Sequence, residues 1–270
     1  MIKTRCITIR KPERNALNED AAEARRNMIA VSDGAGGGGL FADRWSKYLL
    51  HNLPTEPITS AEQLDEWIGR IWEAYYAKAE QSAKKLGGMA LDKFYDEGSF
   101  ATLAAVWRLP DGICRWMTYG DSVVFHYNYK TKRLSHSFTA LADFNRPPHL
   151  INCKDELNLS GFKCDEFRMT NESFVFVASD ALSHYILMMY ELSMQNEYAS
   201  ELYDAVSAAS KNSNIIKKGM SLQTFKFEKE VIDRLRKAVY DKHYYKKWLG
   251  SLQEKGLLAL DDYSLAVMYE

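Results

Sequence analysis

The sequence predicts an α+β fold in which antiparallel sheets are covered by helices. Three observations predict it. Apolar runs of strand period follow one another between residues 99 and 129, separated by Pro110-Asp111-Gly112 and Gly120-Asp121, both with hairpin turn chemistry. Helical patterns come in blocks rather than alternating with strands, so the rhythm of a parallel sheet is missing. No repeat or low-complexity linker divides the 270 residues, so a single domain over 1–270 is expected.

The elements follow in chain order. Residues 2–10 alternate apolar and polar, the mark of a half-buried strand. Residues 11–27 are polar and read as a turn and loop. Met28–Ser32 is a short apolar strand. Residues 40–52 have helical spacing, with Phe41, Trp45, Tyr48 and Leu49 on one face. Two prolines make "NLPTEPITS" a connector. Ser60 with Gln63 has the form of a capping box and opens a long helix that ends near Gly87-Gly88. "SFATLAAVWRL", "ICRWMTYG" and "SVVFHYNY" are successive strands, and "TKRLSHSFT" is a fourth. Residues 141–170 read as an irregular excursion. "SFVFVAS" is a buried strand, 182–192, 201–209 and 227–249 are helical, and "YSLAVMY" is the closing strand.

Composition excludes several classes. The net charge of −1 gives no global pull toward nucleic acid or an anionic membrane. The N-terminus has no apolar core of signal-peptide length, and no apolar run reaches membrane-spanning length. The expected location is the cytoplasm. Cys6, Cys114, Cys153 and Cys164 are scattered, without CxxC pairs, so reduced thiols are expected rather than a structural zinc site. Trp45, Trp67, Trp72 and Trp107 read as core. "KHYYKKW" (242–248) mixes charge and aromatics, which permits nucleic-acid stacking but reads better as an amphipathic helix face.

The stretch "MIAVSDGAGGGGLFADRW" (28–45) poses the functional question. Gly34, Gly36 and Gly39 satisfy GxGxxG between a strand and a helix. No strand follows that helix, however, so the βαβ unit of a dinucleotide fold is missing, and Asp33 would repel a pyrophosphate. A Walker loop fails because no Lys-Ser/Thr follows. The alternative is a hard cation held by carboxylate and carbonyl oxygens. "FVFVASDAL" (174–182) echoes "MIAVSDGAG" (28–36), so Asp33 and Asp180 are each delivered by the end of an apolar strand. Asp261-Asp262 precede the last strand, Glu19-Asp20 follow the first, and Asp121 lies in a tight turn. Each alone reads as a turn residue. Together they point to a polyacidic metal centre.

These motifs resemble, in order and over nearly the whole chain, those of the metal-dependent Ser/Thr phosphatases of the PP2C (PPM) family, bacterial type. "ALNEDA" (16–21) is similar to the N-terminal acidic motif and "VSDGAGGGG" to DGxGG. "EGSFATLAAV" (97–106) falls at the Gly-Ser/Thr-Thr strand and "YGDSVVFHY" at the GDSR strand pair. "VASDAL" resembles SDGL, and "DDYSLAV" the closing strand. The resemblance implies an α-β-β-α sandwich of two antiparallel sheets flanked by helices. It also implies a centre of two Mg²⁺ or Mn²⁺ ions, whose activated water hydrolyses phosphoserine and phosphothreonine. In that frame Asp33 bridges both ions, and Asp180 and Asp261 complete one site. Glu19 and the Gly34 carbonyl serve the other, with Asp20 in support, and Asp121 belongs to a third site. The 141–170 excursion falls at the family's variable flap. The implied partner is a phosphorylated protein with a cognate Ser/Thr kinase, with no nucleic acid and no membrane.

The match departs in four places. Arg14 lies five residues before Glu19, where the family's phosphate-binding Arg stands three or four before. It reads equally as a phosphate contact or a solvated charge. Ala35 replaces the His that animal members carry after Asp-Gly. Ala181 replaces the Gly of SDG. His184 stands where an Asp would complete the third site, and reads either as a proton donor or as a helix-face histidine near the rim. These departures keep a second class open, a phosphatase-like regulatory or binding module with weak or no turnover.

Overall fold

A computed structural model describes residues 2–13, 17–207, 210–222 and 225–270. The chain begins with β1 (Lys3–Ile9), β2 (Ala21–Arg25) and β3 (Met28–Ser32). Three helices follow, α1 (Ala42–Asn52), α2 (Ala61–Leu86) and α3 (Gly88–Glu97). Next come β4 (Phe100–Ala101), β5 (Leu103–Arg108), β6 (Ile113–Tyr119), β7 (Val123–Asn128) and β8 (Arg133–His136). β9 (Ile151–Asn152), β10 (Phe162–Arg168) and β11 (Ser173–Ala178) lead into α4 (Asp180–Ser193), α5 (Ala199–Ser207) and α6 (Lys211–Met220). α7 (Asp233–Ala238), α8 (Lys242–Glu254) and β12 (Tyr263–Tyr269) complete it.

The strands form two five-stranded sheets in the orders β1-β12-β11-β7-β8 and β10-β6-β5-β3-β2. Every ladder is antiparallel. Strand parity builds three apolar layers. Ile29 and Val31 of β3 meet Val175 and Val177 of β11 and Ala266 and Met268 of β12 between the sheets. Met28 and Ala30 face the other way, onto Trp45, Leu49, Trp67 and Tyr75 of α1 and α2. Phe174, Phe176, Leu265 and Val267 face α4 and the helices after it. Helix layer, sheet, sheet and helix layer make the α-β-β-α sandwich the resemblance implies. An antiparallel sheet also rules out the dinucleotide fold, whose βαβ unit needs parallel strands.

The capping reading at Ser60 holds: its side chain accepts from the Gln63 amide. The Gln63 side chain reaches back to the Thr59 amide at 2.8 Å. Two strands of the five-stranded sheets were not expected. β2 forms within the polar 11–27 stretch because Ala21–Arg25 pairs the whole length of β3. β10 forms within the 141–170 excursion, whose apolar content is low, because Phe162–Arg168 pairs all seven residues of β6. The excursion is further pinned at β9, where the Trp45 indole donates to the Ile151 carbonyl at 2.9 Å. The 227–249 helix is broken after Ala238, and a π-type turn occupies Glu228–Ile232.

Trp45, Trp67 and Trp107 are buried as expected, and Trp72 is half-buried. In α8, Tyr245 and Trp248 point inward while Lys242, His243, Lys246 and Lys247 are exposed, so "KHYYKKW" is an amphipathic helix face. Among the described residues no helix is long and apolar enough to cross a membrane.

α4 is buried along Ala181–Leu192, and this includes Glu191. Burial pushes the Glu191 carboxyl up to about 8, with the Glu201 charge adding to it. The folded protein therefore holds a proton there that the unfolded chain has lost, and stability falls as pH rises from about 4.5 toward 8. Glu191→Gln removes this loss. Denaturant unfolding should show the variant more stable than wild type by about 1–3 kcal/mol at pH 8, with the two nearly equal at pH 4.5.

Candidate metal centre

Sheet register brings the acidic residues to one end of the sandwich. In the second sheet Ala21 pairs with Ser32, so Asp20 and Asp33 lie side by side, one position beyond that pair. In the first sheet Ala178 pairs with both Leu265 and Val123. Asp180, Asp261 and Asp121 therefore lie just past the same end of three adjacent strands. Asp20 is fully buried, and Asp33, Asp121, Asp180 and Asp261 are half-buried at the mouth.

Small polar side chains fix these positions. The Thr102 hydroxyl accepts from the Asp33 amide at 3.1 Å and pairs with Ser122 at 2.7 Å. The Thr102 amide donates to the Asp33 carbonyl at 2.8 Å. The Asp20 amide donates to Asn18, whose side chain donates to Thr8 at 2.7 Å. Ser264 also donates to Thr8, at 2.9 Å, and its amide donates to the Ser179 hydroxyl at 3.0 Å. The Glu19 carbonyl accepts from Ser46 at 2.5 Å. Asp262 caps two amides with its two oxygens, those of Lys11 and Glu19, each at 2.7 Å. Asp262 thus ties the chain entering β12 to the acidic loop before β2.

The electrostatics are those of like charges forced together. Burial pushes Asp33 well above the usual carboxylate range, and Asp20, Asp121 and Asp261 push it further. Burial, then Asp33, Asp121 and Asp261, do the same to Asp180, while the Ala181 amide opposes the shift. Asp20 is raised by burial and by Asp180, and the Ser179 and Ser264 hydroxyls pull it down. Burial pushes Asp121 up to about 6. Glu19 is raised by burial, with Lys11 opposing. Asp261 is raised by burial, with the Asp262 amide and then Lys11 opposing. Lys11 sits at the edge, its Nζ 4.0 Å from Glu19 Oε2.

Six of the expected acidic residues thus meet: Glu19, Asp20, Asp33, Asp121, Asp180 and Asp261. Asp20, expected only in support, lies inside the cluster, with Asp180 as the strongest charge acting on it. Gly34 bridges to Ala101 beside them. Arg14 lies outside the described residues. His184 is not at the rim: it is 3 % exposed, edge-on to Phe144 at 5.4 Å, and burial pushes its imidazole down to about 4. Asp262 was named with Asp261 but given no role, and sequence reasoning did not single out Thr102, Ser179 or Ser264. The signal for each was a small polar residue beside an acidic strand end.

The donor set suits a hard cation, being carboxylates and carbonyls. Asp20 Oδ2 is buried without a hydrogen-bond partner. A cation would satisfy that oxygen and the shared negative charge together. Among the described residues, no group of three or more acidic, His or Cys side chains is already drawn together as a metal cage.

Comparison with solved structures agrees on the fold. The Ser/Thr phosphatase Stp1 from Staphylococcus aureus aligns with a TM-score of 0.54 at 12 % identity, covering 100 % of this chain and 95 % of its own. The catalytic domain of the Ser/Thr phosphatase PstP, in complex with two manganese ions, aligns at 0.53 and 16 % identity, covering 99 % and 97 %. PppA of Pseudomonas aeruginosa, a regulatory component of a type VI secretion system, aligns at 0.52 and 14 %, covering 99 % and 97 %. No protein-family model and no curated protein matches the sequence. The chain has the fold of the bacterial PP2C-type Ser/Thr phosphatases.

Proposed function

We propose that this chain is a Mg²⁺- or Mn²⁺-dependent phosphatase that hydrolyses phosphoserine and phosphothreonine in proteins. The observation that carries the reading is the acidic cluster at one end of the sandwich, with Asp33 in its middle. Buried carboxylates this close cost stability unless a cation or protons neutralise them. Two divalent ions, when bound, supply Lewis acidity and a water of lowered pKa for displacement at phosphorus.

The roles follow from position. Asp33 lies between the two sheets' carboxylates and would touch both ions. Asp180 and Asp261 would hold one ion, and Glu19 and the Gly34 carbonyl the other. Asp20 would orient groups beneath them, and Asp121 would serve a third ion. Lys11 is a cation at the mouth. Arg14 is assigned the phosphate contact. The setting is a bacterial cytoplasm with a cognate kinase, in line with the bacterial origin of structural neighbours such as Stp1 and PppA.

The second reading is a binding module without turnover. The Ala181 and His184 departures favour it, with His184 buried away from the mouth. One assay separates the two. A phosphothreonine peptide incubated with the protein should release phosphate with Mn²⁺ or Mg²⁺ and none in EDTA. A folded protein inert with every divalent ion would leave the binding module.

A further inference from the structure

We propose that Tyr263 is a positioning residue for Asp261, and that through Gln253 it fastens helix α8 to the metal centre. This rests on the metal-centre reading above. Tyr263 is the first residue of β12 and is 1 % exposed. A tyrosine hydroxyl can donate once and accept twice. Here all three capacities are used. It donates to the Ala259 carbonyl at 2.5 Å. It accepts from the Asp261 amide at 3.2 Å and from the Gln253 side-chain amide.

The three partners come from different places. Gln253 lies in the last turn of α8, Ala259 in the segment that leaves it, and Asp261 in the pair that enters β12. One buried oxygen thus holds both sides of the 255–262 turn to the helix. The turn is closed on its far side too, since the Leu257 amide donates to the Leu252 carbonyl at 2.9 Å and Leu257 and Leu258 are buried. At the tip, Asp261 Oδ1 accepts from the Asp262 amide at 2.9 Å. Asp262 is committed to the Lys11 and Glu19 amides. The Asp261 main chain has the Tyr263 hydroxyl as its brace on the α8 side. Removing that hydroxyl leaves the amides of Asp261 and Gln253 and the Ala259 carbonyl without it, so the turn relaxes and the carboxylate shifts relative to Asp33 and Asp180. Groups that hold a metal ligand from behind carry about 10–100-fold in metal affinity.

The test compares Tyr263→Phe with Tyr127→Phe. Tyr127 is also buried, and its hydroxyl donates to Glu228 at 2.7 Å, on strand β7 away from the acidic end. Both variants lose one buried hydroxyl, so both lose some stability. Mn²⁺ binding is measured by titration calorimetry, and hydrogen exchange is followed over 257–262 in metal-free protein. The expected result is Mn²⁺ affinity about tenfold weaker in Tyr263→Phe alone, with faster exchange over 257–262 in that variant alone. Equal Mn²⁺ affinity in the two variants, or equal exchange over the turn, overturns the proposal. Wild-type protein that binds no Mn²⁺ overturns it together with the metal-centre reading, which distinguishes that failure from the first.

Discussion

Asp33→Asn is expected to cut metal-dependent hydrolysis of a phosphothreonine peptide by about 10²–10³-fold or more, the size of effect when a group organising transition-state charge is lost. Asp33 interacts with four of the other carboxylates. Its charge is felt by Asp180, and those of Asp20, Asp121 and Asp261 are felt by it. An Asn keeps the shape and one acceptor oxygen but cannot carry the charge that draws two cations together. A second readout separates chemistry from folding. Mn²⁺ at a hundred times its dissociation constant should stabilise the wild type by about 2.7 kcal/mol. Asp33→Asn should lose most of that gain. Without metal the variant should be no less stable than wild type, because the charge it removes is raised by burial and by like neighbours. Full turnover in the variant would remove Asp33 from the mechanism. A metal-free variant that unfolds would mean that Asp33 serves the fold instead.

Apolar strands in the centre of each sheet were legible because burial on both faces demands long apolar runs. Met28–Ser32, Ser173–Ala178 and Tyr263–Tyr269 are such runs, and all three are fully buried. The edges of the first sheet, β1 and β8, were read as strands, but those of the second sheet were not legible. β2 and β10 are outermost in their sheet, and sequences such as "FKCDEFR" leave most side chains in water. What makes them strands is the partner each pairs along its whole length, the neighbouring β3 for β2 and the distant β6 for β10, and their own side-chain pattern does not record it. α3 was hidden differently: Gly87, with φ of 109°, ends α2 and a second helix restarts at once.

The site follows the same rule. Asp33 and Asp180 were found because each ends a central strand. Asp20 was read in a supporting role, and only the Ala21–Ser32 register shows that it lies beside Asp33. His184 was misplaced because burial at the foot of α4 depends on the Leu141–Asn145 turn, whose Phe144 meets the ring. Tyr263 carried no signal at all, because its partners are set by how α8 ends.

Gly34 and Gly36 offer the sharpest separation of fold from ligand. A Cβ on Gly34 would stand 2.5 Å from the Glu19 carbonyl oxygen and 2.8 Å from that of Ala42. Both are main-chain atoms, from the acidic loop and from the start of α1, and neither can swing aside. Gly34→Ala should therefore cost about 1–3 kcal/mol and push the two elements apart, lowering stability and Mn²⁺ affinity together. The nearest atoms to a Cβ on Gly36 would be those of the Glu19 carboxyl, the end of a flexible side chain. Gly36→Ala should leave the unfolding free energy within about 0.5 kcal/mol of wild type while turning the Glu19 carboxylate away from the cluster. If Glu19 is a ligand, Gly36→Ala binds Mn²⁺ more weakly at nearly unchanged stability, and Glu19→Gln gives the same loss with no further loss in the double variant. If Gly36→Ala binds Mn²⁺ as wild type does, Glu19 is not a ligand. Its carboxylate would then serve Lys11 at the mouth, and the second ion would rest on Asp33, the Gly34 carbonyl and the buried oxygen of Asp20.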